Sequence, residues 1–393
     1  MPPFDARLRL SQRTSHLREA GLLRQLTLKV NALPDGINLG QGVCDLDMPD
    51  ALREAAIASI RRDRATYTPF PGIPELREAI AVRTRARYGL DYGSEGICVT
   101  VGASAAFTAA LFTFIDPGDE LVLFEPFYPY HLSLAKLAGA VVRTLSLGHD
   151  GAVPFDALKA VLGPKTKLVV VNTPSNPVGK VWSRGELETL SDILASTSTM
   201  VVTDEIYEDL CYDGREHVPP ATIPGLFDRT IGISGLSKAY SITGWRLGWI
   251  AAPEAITRAI GPVFDIMCVC APRPMQHAAV EALRTLPEAW YREQRDGYAR
   301  RRTMLADALR TAGFVPRMPE GAYYMAADYS GVFGNMTPRD ACFALLDRFH
   351  IGAIPSDLFY ADPAQAARFL RFQFAVEEPV LREVGRRMAA GGI

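Results

Sequence analysis

The sequence predicts an α/β chain whose mostly parallel sheet is covered by helices on both faces, followed by a smaller α+β unit. Three observations predict it. From about residue 50 to 285, short β-rich apolar runs alternate with helical patterns, the rhythm of parallel strands joined by crossover helices. From about residue 286 that rhythm gives way to a long polar-rich helix and then short strands and helices. The chain's 393 residues, 48% of them hydrophobic, also exceed what one core holds, since single cores stop growing at about 250 to 300 residues. The expected division is an N-terminal segment 1–48 joining the small domain, a large domain 49–287 and a small domain 288–393.

The first 45 or so residues carry few strand signals and a Gly-rich "INLGQGV", so they are expected to drape over a domain or a neighbouring subunit. The strands follow as "GICVTV", "ELVLFEP", "LVVVNTP", "TMVVTDEIY", "RTIGIS" and "LGWIAAP", short, rich in β-branched residues and bounded by turn formers. Between them, "SAAFTAALFTFI" and "HLSLAKLAGA" have helical character. The run "PEAWYREQRDGYARRRTMLADALRTAG" opens the second unit as one long helix. In such a sheet a ligand binds beyond the carboxyl ends of the strands.

Composition removes several functions. A formal charge of −2 gives no general pull toward nucleic acid or anionic membrane, and small molecules are the expected partners. No run reaches the roughly 20 apolar residues of a membrane span, and "MPPFDARLRLSQR" lacks a signal peptide's apolar core, so a cytoplasmic protein is expected. The six cysteines are scattered through apolar surroundings, as reduced buried thiols are. Cys268 and Cys270 form a CxC without a second ligand pair, and no metal site is expected.

The chemistry gathers at the strand ends. Gly102-Ala103-Ser104 after "GICVT" opens a helix whose free N–H groups can seat a phosphate, although the same triplet can be a simple βα turn with a serine cap. It lacks the dinucleotide-binding G-x-G-x-x-G spacing. Tyr128 follows "LVLFEP" as a flat face for a ring or as a core cap. Asn176, in "SNPVG", presents an amide or merely shapes a turn. Asp204 ends an almost wholly apolar strand, with Tyr207 three residues on, and a buried acid there needs a cationic partner.

Lys238 sits among small and hydroxyl residues in "SGLSKAYSITGWRLGW", and Arg246 follows across a Thr-Gly-Trp turn. Each residue has an innocent reading, yet all fall at one edge of one sheet. Together they call for a phosphate, a flat ring, a protonatable ring nitrogen, a ring oxygen and an aldehyde, which is pyridoxal 5'-phosphate.

The ordered match of "NTPSNPVGKV", "TDEIYEDLCYDG" and "SGLSKAYSITGWRLGW" resembles the fold-type I aminotransferases of class I/II, over essentially the whole chain. "INLGQG", "YTPFPGIPELREAIA" and "RFLRFQFA" are similar to the aspartate-, kynurenine- and methionine-aminotransferase-like subgroup. The resemblance implies a seven-stranded sheet in the large domain and a homodimer with shared active sites. It implies amino acid and 2-oxo acid substrates, and Lys238 as the Schiff-base lysine. It further implies that Arg246 holds the phosphate with Gly102, Ala103 and Ser104, that Tyr128 stacks on the ring, and that Asp204 pairs with its nitrogen. Tyr207 and Asn176 would bond the ring oxygen, Arg371 would clamp the substrate carboxylate beside Gly40, and Tyr67 would reach the neighbour's phosphate.

Three departures from the family pattern stand out. Gly235 occupies the place of a phosphate-binding serine, with Ser234 and Ser237 as the candidates. "PSDLFY" puts Asp357 at the expected rim of the substrate region. Arg273, between two prolines in "VCAPRPMQ", is a candidate reader of a distal acidic group on the substrate. Proton abstraction is common to every branch of this chemistry, so elimination, replacement or ring formation stays an alternative to amino transfer. A DNA-binding regulator is disfavoured by the absence of a helix-turn-helix or basic footprint.

Overall fold

The computed structural model describes residues 21–392 together with Ser11, Arg13 and Thr14. The rest of the N-terminal stretch read above lies outside the described residues. The larger sheet has seven strands. In spatial order they are Ile97–Thr100, Gly248–Ala251, Thr230–Gly235, Met200–Asp204, Thr166–Asn172, Glu120–Glu125 and Val141–Ser146. All pairings are parallel except those of Gly248–Ala251, which runs antiparallel to both neighbours.

Strand sequence sorts into two cores by its period of two. Leu168 and Val170 pack with Leu121, Leu123 and Val202 on one face, against the helices Ala103–Phe114 and Glu254–Cys268. Val169 and Val171 pack with Val122, Phe124 and Val201 on the other, against the helix Arg184–Leu194. A strand buried on both faces reads as a continuous apolar run because both alternating sets are inside. The helix Arg184–Leu194 begins at a capping box, in which Ser183 accepts from the Glu186 amide while Glu186 accepts from the Ser183 amide, satisfying two orphan donors at once.

A second, antiparallel sheet has the order Ile354–Pro355, Phe369–Gln373, Tyr324–Asp328 and Val315–Pro316. Its core joins Tyr298, Leu305, Phe372 and Leu381, from the helices Glu288–Thr311 and Glu378–Ala389 and from the sheet itself. The early strand Ile37–Asn38 pairs in parallel with Ile351–Gly352 as a separate two-stranded sheet, which ties residues from early in the chain to the segment just before Ile354–Pro355. Among the described residues no helix is long and apolar enough to cross a membrane, and no cluster of metal-ligating side chains occurs.

Candidate active site

A cavity of about 1060 Å³ lies where the carboxyl ends of the parallel strands meet the second sheet. Each strand end delivers its side chain through a short turn. The helix Ala103–Phe114 begins straight after Gly102 and has no side-chain cap, so its first N–H groups and positive dipole end remain available to an anion. Gly102 adopts φ +76°, and a Cβ there would stand 2.6 Å from an Arg246 terminal nitrogen. Glycine is therefore required for the arginine to lie against the helix start. Arg246 itself holds a left-handed backbone (φ 57°) and donates to the Thr243 carbonyl at 3.0 Å. Non-glycine residues in that conformation collect at functional sites.

Asp204 is buried at the end of its strand, accepting from the Ile206 amide at 3.2 Å and pairing through Oδ2 with His131 Nε2 at 3.1 Å. His131 is itself held between the rings of Phe107 and Tyr128, with centroids at 4.5 and 5.3 Å. Lys238 Nζ donates to the Gly42 carbonyl at 3.2 Å, an acceptor it shares with the Tyr323 hydroxyl at 3.1 Å. Tyr207 donates its hydroxyl to Tyr324 at 3.2 Å. Burial raises the Tyr207 pKa well above the ordinary phenol value, so the group stays a proton donor at any working pH.

Arg371 enters from the second sheet. One terminal nitrogen donates to Asn176 Oδ1 at 2.8 Å and the other to the Gly40 carbonyl at 2.5 Å. The guanidinium lies over the rings of Tyr324 and Phe359 at 4.3 and 5.1 Å. Its Nε is buried without a partner, and no carboxylate of the described residues pairs with it. Burial lowers its pKa from the usual arginine value. A buried cation with no anion is costly, and this one faces the cavity.

Most of the sequence-predicted residues line this cavity. Gly102 and Gly40 reach it through their contacts with Arg246 and Arg371. Two expectations, for Ser234 and Asp357, require different placement. Ser237 lines the cavity, whereas Ser234 does not, because its hydroxyl turns away to donate to Glu208 at 2.6 Å. Asp357 is not at the rim: it is buried and paired with Arg339. Arg273, whose expected place is a loop facing the neighbouring subunit's site, lies off this chain's own cavity, with one terminal nitrogen on Thr66 Oγ1 at 3.1 Å and the Tyr67 carbonyl at 3.4 Å. Tyr67, whose expected target is the neighbour's phosphate, is 79% exposed and lies off this chain's own cavity.

His131 and Tyr324 escaped the sequence reading. His131 lies in the first turn of the helix Pro129–Ala138, whose N-cap is Tyr128.

A family model for "Aminotransferase class I and II" matches residues 34–388. The chain belongs to the class I and II aminotransferases. It is 35% identical over 366 residues to a probable N-succinyldiaminopimelate aminotransferase of Mycobacterium tuberculosis, with 90% of this chain and 91% of that one covered. The solved structure of N-succinyldiaminopimelate aminotransferase from that organism superposes with a TM-score of 0.92 at 32% identity, covering 98% of this chain and all of the other. The methionine aminotransferase of Escherichia coli is 32% identical, with 90% and 91% covered.

Enzymes of this family depend on pyridoxal 5'-phosphate, and so does this aminotransferase. The donor set fits that group: an uncapped helix start with an arginine folded onto it for the phosphate, a buried carboxylate braced by His131, and a lysine amine at the cavity wall.

Proposed function

We propose that this aminotransferase moves the amino group of an α-amino acid to a 2-oxo acid in the described cavity, and that Arg371 is the clamp for the substrate's carboxylate. One observation carries the reading. Arg371 is a buried cation without an anion among the described residues, its unpartnered Nε in a site already braced by Asn176, Gly40 and two aromatic rings. A substrate carboxylate supplies the missing charge and a paired hydrogen-bond geometry.

The chain's own groups then divide the work. Gly102, Ala103, Ser104, Ser237 and Arg246 would seat the cofactor's phosphate, Tyr128 would cover its ring, and Asn176 and Tyr207 would bond the ring oxygen. Asp204, oriented by His131, would hold the ring nitrogen protonated. When bound, pyridoxal 5'-phosphate supplies the carbonyl that takes up the substrate amine and a ring that accepts electrons. Lys238 is the residue in reach to anchor the group and to carry the proton lost from the substrate's α-carbon. Arg371 would set the orientation of that C–H bond by fixing the carboxylate.

The reading extends to a cytoplasmic homodimer with shared active sites, which the family pattern and six unpaired cysteines support. The working division remains the segment 1–48, the domain 49–287 and the domain 288–393. For the donor, the cavity suggests an uncharged apolar side chain. Among its described lining residues the only lysine or arginine side chains are Lys238, Arg246 and Arg371, all committed to other groups. Leu28, Val43 and Tyr130 are exposed along its wall.

The test is a panel of amino acids mixed with the loaded enzyme in single turnover, without any 2-oxo acid. Conversion of the cofactor to its aminated form, fastest with apolar donors, supports the reading. Release of an α,β-unsaturated product would mean elimination instead, and faster conversion by aspartate than by methionine or phenylalanine would overturn the donor class.

A further inference from the structure

We propose that Gln276, together with Arg273, is a positioning device that mounts Tyr67 for work in the neighbouring subunit's cavity. The proposal rests on the reading of a homodimer with shared active sites. Two adjacent residues differ sharply. Tyr67 is 79% exposed, while Thr68 beside it is 7% exposed. The backbone is pinned and the ring is left outside.

The pin is the first turn of the helix Arg273–Thr285. Its inner face is otherwise apolar: Ala278, Ala279 and Ala282 are fully buried, and Val280 is nearly so. Gln276 is fully buried among them, and a buried amide is costly unless every bond is made. Gln276 makes two of its three on one segment. Its oxygen accepts from the Ile73 amide at 2.9 Å, and its nitrogen donates to Thr68 Oγ1 at 3.0 Å and to the Ala271 carbonyl at 2.9 Å. The amide thereby spans both ends of the Thr68–Ile73 turn. Between those ends Gly72, at φ +103°, donates to the Pro69 carbonyl at 3.0 Å. A Cβ on Gly72 would stand 2.5 Å from Val99 and 3.2 Å from the Gln276 oxygen. Pro71 also accepts from the Val99 amide at 2.9 Å, which ties the turn to the edge of the large sheet.

Arg273 completes the mount from the other side of Tyr67 through Thr66 Oγ1 and the Tyr67 carbonyl. Both bonds go to residues at the phenol's own stretch of backbone, so the guanidinium supports the tyrosine. Three neighbouring positions, Thr66, Tyr67 and Thr68, are thus held by one helical turn while the phenol stays free. A side chain on a fixed backbone loses little freedom when it meets its target.

The surroundings fit burial by a second copy. Phe70 lies against Gly261, where a Cβ would stand 2.6 Å from its ring. Further along the same helix and just past its end, Ile266, Met267 and Val269 are exposed.

The test uses Arg273→Ala combined with Thr68→Val, which removes both hydroxyl and guanidinium anchors without disturbing the buried amide's position. In the double variant the dissociation constant of pyridoxal 5'-phosphate, read by equilibrium dialysis, should rise about ten-fold, the equilibrium weight of one hydrogen bond. Thr68→Ser, which keeps the acceptor, should leave it at the parental value. Hybrid dimers with Lys238→Ala subunits locate the effect. In the hybrid, the one site that retains Lys238 receives Tyr67 from a subunit whose mount is intact, so cofactor affinity and turnover at that site should return to parental values.

An unchanged dissociation constant in the double variant overturns the proposal. So does a hybrid whose Lys238-bearing site stays as weak as in the double-variant homodimer, since Gln276 and Arg273 would then act on their own cavity. Separate controls show failure of the underlying reading: a parental chain that sediments as a monomer, or a Lys238→Ala homodimer that still transfers amino groups.

Discussion

The seven residues Asp204–Leu210, "DEIYEDL", present two faces that are built in opposite ways. Toward the cavity go Asp204 and Tyr207, among groups with hydrogen-bonding capacity to spare, such as Arg371 Nε. Away from it go Glu205, Glu208 and Asp209, and all six of their carboxylate oxygens are taken. Glu205 binds Thr203 and His217, Glu208 binds Ser234 and Tyr88, and Asp209 binds Arg83 and Arg87. A satisfied buried network is rigid, whereas an unfinished one is ready for a ligand. The difference teaches that this turn anchors its rear face so that its front face can stay incomplete.

The sharpest way to break the front face is Lys238→Ala. We expect turnover to fall by about 10,000-fold or more, as for loss of an anchor and a proton carrier together. The fold should persist, because among the described residues Lys238 Nζ makes only the one hydrogen bond to Gly42; an unchanged thermal midpoint checks this. Borohydride treatment of the parent should fix the cofactor on Lys238, and a label on any other lysine would move the anchor elsewhere.

The rear face should break differently. Asp209→Asn leaves the buried Arg83 and Arg87 without their anion, a change worth about 3 to 5 kcal/mol of stability, measurable as a lowered urea midpoint. Burial alone would raise the Asp209 pKa, but Arg83 and Arg87 outweigh it and hold the carboxyl below its ordinary value. Its stabilisation is therefore complete above the unfolded carboxyl value, about pH 4. It is lost as pH falls through the lower folded value. The gap between parent and variant should stay constant from pH 7 down to about 4 and close below that. A variant that lost turnover while keeping its stability would erase the distinction between the faces.

How much of this was legible beforehand follows the same division. Six of the seven large-sheet strands could be read from apolar runs: five are central and bury both faces, and the edge strand Ile97–Thr100 is buried throughout. The missed strand, Val141–Ser146, is at the sheet edge with alternate residues exposed, and its mixed sequence resembles a loop. In the site, residues that carry unusual chemistry for their position, such as Asp204 and Lys238, announced themselves. Residues that work by holding another did not. His131 lies in a helix whose apolar neighbours give a histidine no special meaning until Asp204 is brought beside it. Ser234 and Ser237 could not be told apart by spacing, since the choice depends on Glu208 accepting from the former. Asp357 was placed at a rim because its partner Arg339 cannot be read from its own stretch of sequence, and the contacts of Arg273 with Thr66 and Tyr67 are equally invisible there.

Asp204→Asn sharpens the comparison at intermediate size. An amide cannot keep a cationic ring nitrogen charged, and removing one such electrostatic group costs about 100- to 1,000-fold in turnover. The stability should change far less than for Asp209→Asn, since the Ile206 amide can still donate to the remaining side-chain oxygen while the new NH2 donates to His131 Nε2 in its acceptor tautomer. Comparing the two asparagine variants by urea midpoint and by kcat gives a crossed pattern; parallel losses in both would show that the two faces are one unit.

The smallest expected effect comes from Arg371→Lys, and its pH dependence makes it informative. The arginine spans Asn176 Oδ1 and the Gly40 carbonyl while lying flat over Tyr324 and Phe359. A lysine ammonium is a point donor and cannot reproduce that planar fork. We expect KM for the amino acid to rise about 10- to 100-fold at neutral pH, the weight of a charge-assisted hydrogen bond, with a smaller change in kcat. Burial already pulls the pKa of Arg371 down, and the same burial acting on a lysine, whose ordinary value is about 10.4, brings its titration closer to the working range. A lysine so depressed is charged below its folded pKa and neutral above it. KM of the variant should therefore climb further as pH rises, while the parent, whose guanidinium remains charged, shows no such climb. A variant whose KM tracked the parent's across pH would place the carboxylate's partner somewhere other than residue 371.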